Sequence, residues 1–304
     1  MRYFTSVLLC CLLLFCACDQ TSVPSAPDTG TSSQSTADIA PADIDQDLLD
    51  AEFTSYDRKT DYKPDGRAVF ADGGADLTGQ GFTFQDGILR ITAGGHYELM
   101  GTLENGSVII DVPADEKVQL VLKGVSITSA SDAPLVVLCA DKVKLTLADG
   151  TQNTFTDALT RTDDTHNACI WSADDLTVNG SGSLTVNGNY NNGIDTKNDL
   201  RIVSGSVTVT AVNNAIKAND SMAMLDGTLI AVSSDDGIKT STADRPDKGY
   251  IRIFGGTVTV DSADDALQAA TDVQIAGGTV RLNAGGKQFN CPGTVAVADG
   301  CLQN

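Results

Sequence analysis

Short runs of alternating apolar and polar residues recur along the second half of the chain, separated by clusters of Gly, Asn, Asp and Ser. The copies begin at Asn167, Asn191, Asn213, Asp235 and Asp264, in steps of 24, 22, 22 and 29 residues. Alternation with a period of two is typical of half-buried strands, and the polar clusters are typical of turns. The pattern therefore predicts several short strands in each repeated unit.

This repeat also predicts how the strands are arranged. Units of about 22 residues that each contain short strands fit one coil of a parallel β-helix, whereas helical repeats of similar period need apolar stripes at 3.6-residue spacing. No such stripe is visible, and the longer last step, from Asp235 to Asp264, contains an inserted loop, Thr242–Gly249. We expect an all-β fold: a parallel β-helix, or solenoid, with coils of about 22 residues.

The aligned units predict columns of equivalent residues on successive coils. Inward-facing apolar columns are Leu184, Val207, Leu229, Val258, Val280; Val186, Val209, Ala231, Val260, Leu282; and Ile170, Ile194, Ile216, Ile238, Leu267. One column is expected to face outward: Thr185, Thr208, Ile230, Thr259, Arg281.

The same alignment stacks acidic and amide residues at one turn. The candidate cation ligands at this turn are Asp235, Asp236, Asp264, Asp265, Asn213 and Asn214. Carboxylates about 4.8 Å apart repel by about 1 kcal/mol in water and about 3 kcal/mol at an effective dielectric constant of 20, so solvation, protonation or a cation must relieve them. Calcium prefers such oxygen ligands. The alternative is that Asp and Asn serve here as turn formers.

The N-terminus carries export signals. Arg2 precedes an apolar run over residues 7–15, which is too short for a permanent membrane span and is typical of a signal peptide. The segment ends in Ala17-Cys18, which resembles a bacterial lipobox, so Cys18 is the expected lipidation site after cleavage of residues 1–18. The alternative is an ordinary signal peptide cut nearby. Both alternatives predict export, and the lipobox also predicts attachment to the membrane through a lipid.

The remaining chain divides into a linker and one domain. Residues 19–42 contain Ser, Thr, Pro, Ala and Asp with few large apolar residues, which predicts a flexible tether. Residues 43–304 are expected to form a single domain. Near its end, Cys291 and Cys301 form a disulfide or remain free thiols; the sequence leaves both open.

Net charge limits the partners. The chain has 40 acidic and 20 basic residues, for a formal charge of −20, which disfavours nucleic acid and anionic membrane surfaces. The charge favours cations, or a polymer bridged by cations. Only two His are present, without zinc-type spacing to Cys.

Several ordered motifs resemble one bacterial carbohydrate-binding family: VQLVLKGVSITSA, VKLTLADGTQNTFTD, LTVNGSGSLTVNGNYNNGI, DDGI and GGTVTV. The resemblance runs from about Phe53 to Gly286. It implies a right-handed parallel β-helix like that of polysaccharide lyases, binding of cellulose or pectic acid at the cell surface, calcium in the β-helix, and no catalysis. Two departures are a chain end soon after Gly286 and amides at Asn191-Asn192 and Asn213-Asn214, where acids are stronger ligands.

Candidate sugar-binding residues lie in another predicted column and beside it. Trp171, the sole Trp, is aligned with Asp195, Lys217, Lys239 and Gln268, which we expect to be exposed, and Tyr190 lies nearby. An exposed Trp or Tyr ring is a contact that sugar-binding modules use. The alternative for Trp171 is a packing role.

Three functions compete at this level. The first is a non-catalytic polysaccharide-binding lipoprotein, expected to be a monomer whose only membrane contact is its anchor. The second is a calcium-dependent lyase, for which Lys217, Lys239, Arg201 or Arg252 could supply the base. The third is a structural or adhesive solenoid that assembles through its strand edges; the N-terminal segment and the loop between Cys291 and Cys301, which we expect to cap the two ends, disfavour it.

Overall fold

The computed structural model of the protein describes residues 37–39, 46–161 and 164–303. The predicted signal peptide and the lipidation site Cys18 lie outside these residues. The described residues belong to one compact unit. Among the described residues, no helix is long and apolar enough to cross a membrane.

The described fold is all-β apart from two short helices. Its strands form three ladders, and within each ladder most strands pair in parallel with the strand three positions later in the chain. The first ladder contains Gly66–Ala71, Gly74–Gly79, Gly95–Leu103, Lys117–Ser129, Lys142–Leu147, Asp175–Gly180, Asp199–Ile202, Ser221–Met224, Ile251–Ile253, Val273–Ile275, Val295–Ala298 and Ala37–Ile39. The second ladder begins with the C-terminal parts of Gly95–Leu103 and Lys117–Ser129. It continues with Gln152–Asp157, Ser183–Gly188, Ser206–Ala211, Thr228–Ser233, Thr257–Ser262, Thr279–Ala284 and Leu302–Gln303. The third ladder contains Phe82–Gln85, Ile88–Ile91, Ser107–Asp111, Leu135–Cys139, Ala168–Ser172, Asn192–Thr196, Ile216–Ala218, Ile238–Thr240, Leu267–Gln268 and Phe289–Asn290.

The chain visits the first, second and third ladders in turn, which is the pattern of a solenoid. The columns expected from the sequence are confirmed, because Leu184 pairs with Val207, Val207 with Leu229, and Ile194 with Ile216. These inward side chains are buried and belong to one continuous apolar core. The outward column is confirmed too, since Ile230 is 38% exposed.

The corners between ladders require small residues. Gly227 has φ +98°, and a Cβ there would lie 2.4 Å from the carbonyl oxygen of Gly205 one coil earlier. At another corner, a Cβ on Gly193 would lie 2.2 Å from Cγ1 of Val209. Successive coils can approach closely only because both positions lack a side chain.

An N-terminal segment, here called the strap (residues 46–62), lies along the outer face of the first ladder. It contains helices α1 (Gln46–Glu52) and α2 (Ser55–Arg58), and a capping box of Thr54 and Asp57 begins α2. Phe53 packs edge-on against Phe254 with ring centroids 5.9 Å apart. The strap therefore adds an apolar contact outside the main core.

Buried charges attach the strap to the ladder. Glu52 accepts from Tyr250 Oη (3.0 Å), pairs with Arg201 (2.9 Å) and contacts Arg252. Further along, Lys142 pairs with the buried carboxylate of Asp57 (3.0 Å). The strap therefore occupies the basic outer face of the first ladder.

Another basic contact lies at α2. Lys144 Nζ donates to the carbonyl oxygens of Tyr56 (2.7 Å) and Lys59 (2.8 Å) and lies 3.9 Å from the centroid of the Tyr56 ring. Burial lowers the pKa of Lys144 to about 8. This ammonium is held mainly by neutral carbonyls and an aromatic face.

The two ends of the domain differ in part from the sequence expectations. Ala37–Ile39, inside the predicted tether, forms a strand paired with Val295–Ala298, while most of residues 19–42 lie outside the described part. The expected N-terminal cap is a strap along one face, and antiparallel hairpins terminate the N-terminal end, as where Gly66–Ala71 pairs with Gly74–Gly79. Cys291 and Cys301 are free thiols.

Candidate functional site

The acid pairs lie at the corner where the second ladder passes to the third. Asp235 and Asp236 follow the strand Thr228–Ser233, and Asp264 and Asp265 occupy the same corner one coil later. The backbone N–H of Asp264 donates to the carbonyl oxygen of Asp235 (3.2 Å). The structure thus places the two pairs on neighbouring coils, as the alignment predicts.

Three of these four side chains converge. Carboxylate oxygens of Asp235, Asp236 and Asp264, here called the acid cluster, lie within 4.8 Å of one another. Asp236 is buried, Asp235 is half-buried and Asp264 is exposed. The cluster therefore has one side closed by protein and one side open to solvent.

Asp236 is the residue of the acid cluster whose surroundings raise its pKa. Burial raises the pKa of Asp236, and the neighbouring Asp235 raises it further, while Lys239 opposes both effects. Lys239 Nζ donates to Asp236 Oδ2 at 2.8 Å. The buried carboxylate is therefore only partly compensated and would be stabilised by an additional positive charge.

Asp265 lies at the predicted corner but turns away from the acid cluster. Its carboxylate accepts from the backbone N–H of Lys287 (2.8 Å) and from the side chain of Asn290. These bonds join it to the following coil. Its predicted role as a metal ligand is untested, and its oxygens are already used by other donors.

The amide pairs continue the column. Asn213 Nδ2 donates to Asn191 Oδ1 (2.8 Å), and Asn214 N donates to Asn192 Oδ1 (3.2 Å). These contacts form an amide ladder between coils, so a ligand role for Asn213 stays a prediction.

Asn214 also borders the acid cluster. The hydrogen-bond network places its amide nitrogen toward the acids, where it donates to Asp235 Oδ2 (3.3 Å) and Asp236 Oδ2 (3.2 Å), while its oxygen accepts from Asn213 Nδ2 (3.2 Å). Asn214 therefore closes one side of the acid cluster as a hydrogen-bond donor, and a ligand role for its oxygen stays a prediction.

The residue types fit calcium. The acid-cluster carboxylates supply hard oxygen atoms, of which calcium binds six to eight at a time, water oxygens included. No nitrogen or sulfur ligand belongs to the group found here. The open side at Asp264 leaves room for water or a ligand oxygen.

Next to this corner, one column runs along the outer face of the third ladder. Cα pairing confirms its order, and we call it the outer column: Trp171, Asp195, Lys217, Lys239, Gln268 and Asn290. The sequence expectation of an exposed column is wrong at Asp195, which is 0% exposed. Its carboxylate is enclosed by Lys197 Nζ (3.0 Å) and Asn192 Nδ2 (3.2 Å).

The aromatic candidates are half-buried rather than open platforms. The rings of Trp171 and His166 lie 4.6 Å apart, and Lys197 Nζ lies 5.7 Å from the Trp171 centroid. The Arg161 guanidinium lies 4.8 Å from the Tyr190 centroid. Sequence reasoning missed these covering residues because Arg161 and His166 precede the repeated units that begin at Asn167.

Some polar atoms near the third ladder lack hydrogen-bond partners among the described residues. Trp171 Nε1, Gln268 Oε1 and Asn219 Oδ1 are buried atoms of this kind. Lys217 is half-buried and forms no side-chain hydrogen bond or ion pair within the described part of the chain. Unpartnered buried polar groups are costly, and the half-buried Lys217 is the cation of this face that is free to bind an external ligand.

The two arginines proposed as bases are already paired. Arg201 is 7% exposed at its side chain and pairs with Glu52 and Asp199 (3.3 Å), and Arg252 contacts Glu52. Burial beneath the strap separates Arg201 from solvent. Only Lys217, among the four cations considered for a lyase, lies unpaired in the described structure.

Comparison with known proteins gives consistent matches. A family model described as carbohydrate-binding domain-containing protein matches residues 85–300. A carbohydrate-binding domain-containing protein of Acetivibrio thermocellus is 41% identical over 227 residues, covering 73% of this chain and 79% of the relative. A solved structure, titled as the polysaccharide lyase-like protein from C. thermocellum, gadolinium derivative, is 38% identical with a TM-score of 0.77, covering 78% of this chain and 98% of that chain.

Proposed function

Because the chain belongs to the family of carbohydrate-binding domain-containing proteins, we propose that it is a non-catalytic polysaccharide-binding lipoprotein. Its ligand is an acidic or cell-wall polysaccharide of the pectic acid or cellulose class, and calcium bound along the β-helix assists the binding. The observation that carries this proposal is the convergence of Asp235, Asp236 and Asp264 beside the half-buried outer column.

The fold we infer is a right-handed parallel β-helix with coils of about 22 residues. Parallel strands joined by a crossover connection are right-handed in about 98% of cases, because of the intrinsic twist of strands. Pairings such as Ser206 with Thr228 and Thr257 with Thr279 support a coil of this length. Residues 43–304 then form one carbohydrate-binding domain.

Calcium is proposed as the ion of the acid cluster. Asp235, Asp236 and Asp264 would hold it, with Asn214 as a further oxygen donor; Asp265 and Asn213 are the more distant candidates. When bound, the cation supplies positive charge that attracts carboxylates of an acidic polymer.

Contacts with sugar are assigned to the outer column. Lys217 and Lys239 provide charge, Trp171 and Tyr190 provide partly accessible aromatic surface, and Asp195 acts through the position of Lys197. An acidic polymer suits this face better than a flat neutral one, since its aromatic rings are partly covered. We therefore favour pectic acid over cellulose.

Attachment to the cell is inferred from the sequence. Lipid modification of Cys18 after export would anchor the chain, and residues 19–42 would carry the domain away from the membrane. A monomer suits this arrangement, because the strand Ala37–Ile39 covers the edge of Val295–Ala298.

Lyase activity is the second candidate, favoured by one observation. Lys217 is a cation without an ion-pair partner in the described structure, one strand from Lys239, which contacts the acid cluster. A lyase needs such a base within reach of the substrate. Release of unsaturated uronides from polygalacturonate in the presence of calcium would establish this alternative.

The test is a binding isotherm with the purified full mature protein. Polygalacturonate, a neutral cellulose oligosaccharide and their mixtures are titrated with calcium and with a chelator, while product absorbance reports any cleavage. We expect calcium-dependent binding of polygalacturonate without product. Equal binding to both polymers in chelator would contradict the role of the acid cluster.

A further inference from the structure

We propose that Lys217 and Lys239 form a paired site for the carboxylate of a uronate residue, and that Asp236 couples this site to cation binding at the acid cluster. This inference rests on the proposed function and names the residues that read the acidic group. Neither lysine needs to act as a base for this role.

The two lysines are neighbours across one coil step. Lys217 pairs with Lys239 in the third ladder, so their Cα atoms lie on adjacent strands, which are spaced roughly 4.8 Å apart. Both side chains leave the same outer face and are half-buried. Adjacent ammonium groups repel each other, and a carboxylate between them replaces that repulsion with two charge-assisted hydrogen bonds.

Lys217 is available in a protein where cations are scarce. The chain has 20 basic against 40 acidic residues, yet Lys217 forms no ion pair within the described structure. Its neighbour in the column on the other side, Asp195, is buried and already bound by Lys197 and Asn192. An unneutralised cation beside acidic corners is therefore open to an external anion.

Lys239 can bind an external anion when its ion pair with Asp236 is weakened. Its only ion pair in the described structure is with Asp236 Oδ2, and Asp236 is also a member of the acid cluster. When Asp236 contributes to a bound cation, its attraction for Lys239 weakens and Lys239 can join Lys217. Cation binding at the acid cluster then favours carboxylate binding at the two lysines, and thermodynamic linkage makes the reverse effect equal.

Two unpartnered polar atoms belong to residues next to the lysines in the ladder or in the chain. Gln268 Oε1 lies in the column beside Lys239, and Asn219 Oδ1 follows the strand that contains Lys217. Both are acceptors without donors in the described part of the chain. Because both oxygens are buried, they would accept from a sugar hydroxyl group only after a side-chain rotation toward the surface.

The test uses the full mature protein and a trigalacturonate probe, with its methyl-esterified form as the uncharged comparison. Calorimetry measures calcium and trigalacturonate separately and then each in the presence of the other. We expect calcium to raise trigalacturonate affinity about tenfold or more, saturating trigalacturonate to raise calcium affinity by the same factor, and the ester to show neither effect.

Three substitutions separate the roles. Lys217→Met should lower trigalacturonate affinity about tenfold and leave calcium affinity unchanged, while Lys217→Arg should retain most binding. Lys239→Met should lower trigalacturonate affinity but raise calcium affinity, because Asp236 loses its competing partner. Lys63→Met, an exposed change on another part of the chain, serves as the control.

Some outcomes overturn the inference. Trigalacturonate affinity equal to wild type in a folded Lys217→Met protein, checked by its thermal midpoint, refutes the paired site; calcium-dependent polygalacturonate binding would then leave the proposed function standing. Binding of both ligands without mutual enhancement refutes the coupling. If wild type binds neither ligand, the proposed function and this inference both fail.

Discussion

Replacing Glu52 by Gln should release the strap from the first ladder and destabilise the protein. Glu52 is 5% exposed and lies 2.9 Å from Arg201, while it also contacts Arg252 and Tyr250. At that distance and an effective dielectric constant of about 20, the Arg201 attraction alone is about 6 kcal/mol before desolvation is subtracted. The substitution leaves a buried guanidinium with less compensation.

The net effect should be smaller than that attraction. Removing one partner of a buried ion pair costs about 3–5 kcal/mol, and Asp199, still 3.3 Å from Arg201, keeps the expected loss near the lower limit, about 3 kcal/mol. For an m-value of about 3 kcal/mol/M, the urea midpoint falls by roughly 1 M. Hydrogen exchange of the strap should show whether it detaches before the ladders unfold.

A matched control lies on the same helix. Asp50 also pairs with an arginine, Arg58 at 2.9 Å, but its side chain is 62% exposed. Asp50→Asn should therefore change stability by less than about 1 kcal/mol. Equal midpoints for Glu52→Gln and Asp50→Asn, with unchanged exchange in the strap, would refute the reasoning that buried charge attaches it.

Burial lowers the pKa of Lys144 from 10.5 to about 8, so above pH 8 the folded chain releases this proton while the unfolded chain still holds it. The free energy of unfolding should therefore rise between pH 8 and 10.5 relative to Lys144→Met, by on the order of 3 kcal/mol at most. Urea melts of both proteins measure this difference. Because the pKa of Asp236 is raised, protons should compete with calcium, so calorimetric calcium affinity should fall as the pH is lowered in wild type and fall less in Asp236→Asn. Gly193→Ala should destabilise the protein by about 1–3 kcal/mol and lower its thermal midpoint, because the new Cβ would clash with a neighbouring coil. Gly74→Ala should cause little change, because its Cβ would meet nothing nearer than 3.6 Å.

The ladder register could be read from sequence because each coil repeats the same local rule. Residues such as Val207, Leu229 and Val258 recur at matching positions within units, and a shift of one residue would turn these apolar side chains outward. The stacking of Asp235 near Asp264 follows from that register. Convergence of the acids was therefore predictable, as was the order of the outer column.

The strap and the detailed orientation of site residues could not be read in this way. Glu52 meets Arg252 through a contact that spans 200 positions in sequence and repeats nowhere else in the described chain. Asp195 and Lys217 occupy equivalent column positions, yet one is enclosed by Lys197 and the other has no ion pair. Asp265 turns toward Asn290 because the next coil presents donors there. Such differences depend on side-chain neighbours rather than on the repeat.

The most direct test of the account is a calorimetric calcium titration of the full mature protein, followed by thermal melts with and without the ion. Stoichiometric binding and a clear rise in melting temperature are expected, and both should be lost in the Asp235→Ala/Asp264→Ala double variant, whose first acid is half-buried and second exposed. Matching heats and melting shifts in wild type and the double variant would contradict a calcium site at the acid cluster.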